Sequence, residues 1–216
     1  MKHITFYLDF ISPYAFLAFE KLPEVLQGHS YGVTYKPVLF AGLLKHHGQL
    51  GPAEIAGKRE WTYRQVMWLA AEQGIRLEMP KTHPFNPLHL LRLAWACADE
   101  SMGEGTPNRF VCESIFRHVW QSGLDAADPA RLEMLAGQLQ PKQGFAADVV
   151  KQRLKDSTQE AINQGVFGVP TCSVDGKLFW GLDALPMLRA YLDGSPWFAE
   201  GGWEKAAELP IGQARV

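Results

Sequence analysis

The chain has 216 residues, 47% of them hydrophobic and 20% charged, with a formal net charge of -2 at pH 7. This is the composition of an ordinary globular chain and excludes a disordered one, and so small a charge gives no electrostatic reason to expect nucleic acid or an anionic membrane as partner. No apolar run approaches the roughly 20 residues that span a bilayer, and three cysteines, Cys97, Cys112 and Cys172, form neither an even set nor a CxxC pair, which points to a reducing, cytoplasmic compartment.

The opening residues MKHITFYLDF lack the apolar stretch and cleavage site of a secretory signal. Residues 3–9 alternate, with β-branched and aromatic side chains, and predict a first strand. Residues 13–26 predict a helix, because Ala15, Phe16, Phe19, Leu22 and Leu26 recur at spacings of three and four. Pro23 is expected to interrupt or kink it. Residues 31–39 read as a second strand, with Pro37 marking an edge or its end.

A helix follows at residues 54–73, closed by Gly74, and its Trp61 and Trp68 face is expected to be core. Asn86-Pro87 opens the next helix, with Asn as cap and Pro in the first turn and Leu88, Leu91, Trp95 and Ala98 as the apolar face. Residues 108–121 and 128–139 make two more, the second with the same cap chemistry at Asp128-Pro129. A charged helix, residues 145–163, stops at Gly165. Strands at 171–174 and 178–180 are joined by Asp175-Gly176, a hairpin turn, and a last helix runs from Asp183 to near Asp193-Gly194.

Without the block of about four middle helices, the order is that of thioredoxin. The expected class is therefore α/β, a thioredoxin-like fold at residues 1–43 and 140–193. An all-helical domain at 44–139 is inserted after the second strand, and residues 194–216 form a tail packed on the surface.

Three motifs carry chemistry, and each has a plainer reading. Ser12-Pro13 is enough to start a helix. It also sets a hydroxyl at a helix N-terminus, where anions are favoured and where it can donate to a thiolate but cannot itself exchange disulfides. GVFGVPT, residues 165–171, reads as an ordinary trans turn or as the cis proline that precedes the third thioredoxin strand. Cis X-Pro bonds are only about 5–6% of the total; one at Pro170 turns the Val169 N–H and C=O outward, for an extended ligand to pair as an added strand. Asp183 is either a helix cap or a carboxylate for a ligand ammonium group. His46, His47, His83 and His89 lack metal-ligand spacing and read as solvated loop histidines, so no metal is expected. Cys172, two residues past Pro170, reads as packing.

With DFISPYAF, YKPVLFAGLLKHHGQLGPAE, HPFNPLHLLR, GVFGVPT and FWGLDAL in this order, nearly the whole chain resembles the 2-hydroxychromene-2-carboxylate isomerases and the kappa-class glutathione transferases, a DsbA-like branch of the thioredoxin fold. The HHGQ and HPFNP stretches point to the isomerase branch. The resemblance implies a homodimeric, glutathione-dependent isomerase in aromatic-compound catabolism. It would interconvert 2-hydroxychromene-2-carboxylate and trans-o-hydroxybenzylidenepyruvate, or a related unsaturated 2-oxo acid, by reversible thiolate addition.

By the same resemblance Ser12 is the catalytic residue that holds the glutathione sulfur. Val169 pairs with the cysteinyl backbone, Leu182 and Asp183 meet the γ-glutamyl end, and Gln49 stands where many relatives place an asparagine near glutathione. Lys36 and Asn86 face the second substrate, a small aromatic carboxylate. Relatives often follow the aspartate with arginine, whereas this chain has Ala184. Two other readings stay open: a kappa-like transferase or peroxidase, and a redox-dead DsbA-like module that binds extended peptides.

Overall fold

The computed structural model describes residues 1–98, 105–210 and 212; the end of the expected tail, 211 and 213–216, lies outside them. Strand β1 (Lys2–Leu8) is followed by helix α1 (Pro13–Val25) and strand β2 (Tyr31–Pro37), and β2 pairs parallel to β1 with Phe6 opposite Tyr35. Strands β3 (Thr171–Val174) and β4 (Lys177–Trp180) form the expected hairpin, with Asp175 and Gly176 both at positive φ, as a two-residue turn of matching twist requires. β3 lies antiparallel to β1, Phe6 opposite Cys172, so the sheet order is β2-β1-β3-β4. In the inner strand β1, Phe6, Tyr7 and Leu8 are buried in succession, which marks a sheet covered on both faces.

Between β2 and β3 lie α2 (Phe40–His46), a single 3₁₀ turn at Pro52–Glu54, α3 (Lys58–Glu72), α4 (Leu88–Ala96), α5 (Arg109–Trp120), α6 (Pro129–Leu139) and α7 (Asp148–Asn163). Asn108 and Asp128 cap α5 and α6 by accepting from Val111 N and Arg131 N. After β4 come α8 (Leu185–Leu192) and two short helices, α9 (Pro196–Ala199) and α10 (Gly202–Ala207). The last two pack back on the sheet, with Trp203 5.3 Å from the Phe179 ring. No helix among the described residues is long and apolar enough to cross a membrane.

Three expectations are corrected. α1 runs through Pro23 without a break. A proline leaves the carbonyl four residues back without its helical donor, and here the Arg109 guanidinium reaches that Phe19 carbonyl at 3.4 Å while lying 4.1 Å over the Phe19 ring. Trp61 and Trp68 are not core: they are 62% and 60% exposed, and α3 packs through Thr62, Val66 and Ala70 instead. Helix α2 falls where no helix is expected. It presses on α7 at Gly42, where a Cβ would stand only 3.1 Å from Thr158 Cγ2.

The middle helices share the core of the sheet. Phe116 of α5 lies 4.9, 5.9 and 5.1 Å from the rings of Phe10, Phe16 and Phe19. The Trp95 indole donates to Pro37 O at 3.1 Å.

Candidate active site

The corner between β1 and α1 is held by hydrogen bonds on every side. Ser12 N donates to Asp9 O at 3.1 Å, and the Trp120 indole donates to Phe10 O at 3.0 Å. The Asp9 carboxylate, fully buried, accepts from Ile11 N at 3.1 Å and from Phe40 N at 2.9 Å, tying the corner to the start of α2. Burial pushes its pKa up to about 7, against the opposing pull of the Phe40, Ile11 and Phe10 N–H groups. Loss of hydration outweighs those donors, because the ionised form suffers most from a dry site.

Ser12 follows. Its Oγ accepts from Ala15 N at 3.2 Å as the cap of α1 and lies 3.4 Å from the carbonyl oxygen of Val169. The Val169–Pro170 peptide is cis, and the Val169 N–H takes no partner among the described residues. The corner therefore presents a hydroxyl whose own proton can be given away, the N-terminal end of a helix and an open peptide edge. The unpaired N–H groups of a helix start favour negative charge.

These groups line one cavity of about 1030 Å³, together with Gln49, Leu182 and Asp183. Ordinary ligand sites run from roughly 300 to 1,000 Å³, so this cavity stands at the upper end of that range. Asp183 does not cap the last helix: α8 begins at Leu185 without a side-chain cap. Its exposed carboxylate lies back over Gly181, in the space a Cβ there would need, and makes no hydrogen bond or ion pair with another described residue. Beside it, burial raises the Tyr14 phenol above its usual range and the Asp183 charge adds to the effect, while the hydroxyl donates to Gln65 Oε1 at 2.7 Å.

Two residues expected to face a second substrate are not brought to the cavity. Lys36 Nζ is held by both carboxylate oxygens of Glu160, at 2.6 and 2.8 Å, and does not line the cavity. Asn86 is not the cap of α4 that its sequence suggested: Pro87 is, and Asn86, exposed just before it, accepts from Leu88 N at 3.0 Å while its neighbours Phe85 and Pro87 line the wall.

His83, read from sequence as a solvated loop histidine, is half-buried in that wall. Nε2 lies 2.8 Å from Ile11 O and Nδ1 2.8 Å from the Tyr63 hydroxyl, and burial lowers its pKa. Its partners are remote in sequence, and only the HPFNP motif around it hinted at a role.

Burial holds all three thiols toward the protonated form. Burial pushes Cys97 up to about 11 and Cys172 up to about 12, and raises Cys112 further. Cys172 is a packed strand residue opposite Phe6, as expected.

The sequence profile of the DSBA-like thioredoxin domain matches residues 3–193. Among characterised proteins, the chain is 28% identical over 203 residues to 2-hydroxychromene-2-carboxylate isomerase of Sphingobium xenophagum, covering 88% of this chain and 98% of that one. It is 26% identical over 212 residues to glutathione S-transferase kappa 1 of Rattus norvegicus, covering 90% and 92%. A solved structure of 2-hydroxychromene-2-carboxylate isomerase superposes with a TM-score of 0.76 at 21% identity, over 92% of this chain and 98% of that one. With the mixed sheet, the cis proline before β3 and a profile match over most of its length, the chain belongs to the DSBA-like thioredoxin domain family.

Proposed function

We propose that the protein is a glutathione-dependent isomerase of unsaturated 2-oxo acids, with 2-hydroxychromene-2-carboxylate as the substrate to test first. The observation that carries this reading is the Ser12 hydroxyl at the start of α1, 3.4 Å from the carbonyl before a cis proline, in a chain whose own three thiols all have their pKa raised by burial. The names of the relatives, isomerase and glutathione transferase, support it.

The residues present suit the tripeptide. The free Val169 N–H and its carbonyl offer a peptide edge, the unpartnered Asp183 carboxylate suits an α-ammonium group, and Gln49 and Leu182 complete the wall. When bound, glutathione supplies a nucleophilic thiolate that the chain lacks and that is released again at the end of each turnover. Ser12 donates its proton toward that sulfur while Ala15 N–H holds its oxygen, and the helix start favours the anion. A cysteine at position 12 would instead exchange with oxidised glutathione, forming a mixed disulfide and releasing one reduced glutathione.

The aromatic wall of Phe85, Phe167 and Trp180, with the last two rings 4.8 Å apart, suits an aromatic second substrate. A reducing cytoplasm, a homodimer and a place in aromatic-compound catabolism belong to the same proposal.

Calorimetric titration with reduced glutathione tests the site. A charge-assisted hydrogen bond contributes about 1.5–3 kcal/mol, so Asp183→Ala is expected to weaken binding about tenfold or more. No heat of binding at millimolar glutathione with the wild-type chain would overturn the reading, and an unaffected Asp183→Ala would remove Asp183 from it.

A further inference from the structure

The ring of His83 is fixed at both nitrogens and on its faces. A carbonyl oxygen only accepts, so the 2.8 Å approach of Nε2 to Ile11 O places a proton on Nε2. The Tyr63 hydroxyl stands 2.8 Å from Nδ1 and 2.9 Å from the His83 carbonyl. The Tyr63, Trp120 and Phe85 rings pack around it at 5.4, 5.5 and 6.1 Å. With both nitrogens engaged, the imidazole is not free to move a substrate proton.

What it holds is specific. Ile11 immediately precedes Ser12, and 72 residues separate it from His83. Its N–H is already fixed by Asp9 Oδ1; its carbonyl belongs to the peptide group that joins it to Ser12. The N–H of that same peptide is Ser12 N, which donates to Asp9 O at 3.1 Å; with that end anchored, the His83 bond at the carbonyl end sets the tilt of the peptide plane, and the tilt sets where Ser12 Oγ stands relative to Val169. An apolar side chain would fill the same space without fixing a carbonyl.

We infer that His83 is a positioning residue, through which the helices after β2 set the Ser12 hydroxyl against the sulfur that the proposed isomerase would bind; the inference rests on that reading of the site. A displacement of about 1 Å in a reacting group can lower a rate on the order of 10²-fold, so a single carbonyl contact is enough to matter.

The test is ultraviolet titration of the thiolate of bound glutathione against pH, with turnover measured alongside, in wild type, His83→Ala, His83→Gln and Tyr63→Phe. In His83→Ala the bound thiol is expected to titrate about one pH unit higher, leaving about tenfold less thiolate near neutrality. kcat falls by about the same factor, while the glutathione KM stays within about twofold because Val169 and Asp183 are untouched. His83→Gln, which keeps an N–H donor, restores most of both. Tyr63→Phe gives a smaller shift in the same direction, and serves if His83→Ala does not fold.

A bound-thiol titration identical to wild type in both His83→Ala and Tyr63→Phe overturns the positioning role alone. Equal losses in His83→Ala and His83→Gln overturn it too, since they would report packing and not the carbonyl contact. Absence of any glutathione-dependent thiolate signal in the wild-type chain would overturn the proposed function and this inference with it.

Discussion

Ser12 has one oxygen and, on the proposed reading, two duties. As cap it accepts from Ala15 N, and with its single proton it can serve Val169 O or a sulfur in the cavity, not both at once. The two duties separate in Ser12→Ala. Loss of the cap costs about 1 kcal/mol of stability, a modest fall in the urea midpoint, whereas loss of a preorganised donor to a developing anion costs on the order of 10²–10³ in kcat. A steady-state assay paired with denaturation is expected to show the second effect far exceeding the first; a variant of full activity would contradict the role. At this scale, legibility follows distance along the chain. Ser12, Val169, Pro170 and Asp183 stand in short continuous motifs, and the structure brings them to one cavity. The resemblance sends Lys36 to a substrate carboxylate, and its partner Glu160, 124 residues away, is invisible to any local pattern; the same holds for His83, whose partner Ile11 is 72 residues away.

At the scale of elements, capped and periodic segments were read within a residue or two, as in α5 and α6. The failures have physical causes. Periodicity in α3 finds two stripes but not which one packs. The small side chains Thr62, Val66 and Ala70 permit close approach, and the tryptophans are left outside. α2 is too short for periodicity to register, and its first N–H is satisfied by Asp9 at the end of β1. The burial of that carboxylate has a pH signature, since the Phe40 N–H pulls its pKa the other way. The Asp9 pKa is about 7 in the folded chain against 3.8 as reference, so as pH rises the unfolded chain loses this proton first. Stability from this group is then fully present below about pH 4 and declines up to about pH 7. Urea unfolding at a series of pH values is expected to show wild type losing stability relative to Asp9→Asn across that window. A difference that does not change with pH would contradict the assignment.

Across the whole molecule, the order of elements made the α/β class legible, because β1, β2 and the β3–β4 hairpin have clear strand and turn chemistry. The sharing of one core was not legible. Phe116 of α5 meets Phe10, Phe16 and Phe19, and Arg109 joins the same helix to Phe19 and to the Tyr35 hydroxyl. Truncation of a large buried aromatic costs about 3–5 kcal/mol. Phe116→Ala is therefore expected to lower stability by that amount, with sheet and helices still melting in one transition followed by circular dichroism and by tryptophan fluorescence. Two separated transitions would show instead that the inserted helices fold on their own.

The most direct measurement of the central claim follows 2-hydroxychromene-2-carboxylate spectrophotometrically with and without glutathione, while free thiol is titrated over many turnovers. The account predicts isomerisation that requires glutathione and leaves the thiol concentration unchanged. Thiol consumed in step with substrate would make the protein a transferase, and turnover that does not need glutathione would contradict the account outright.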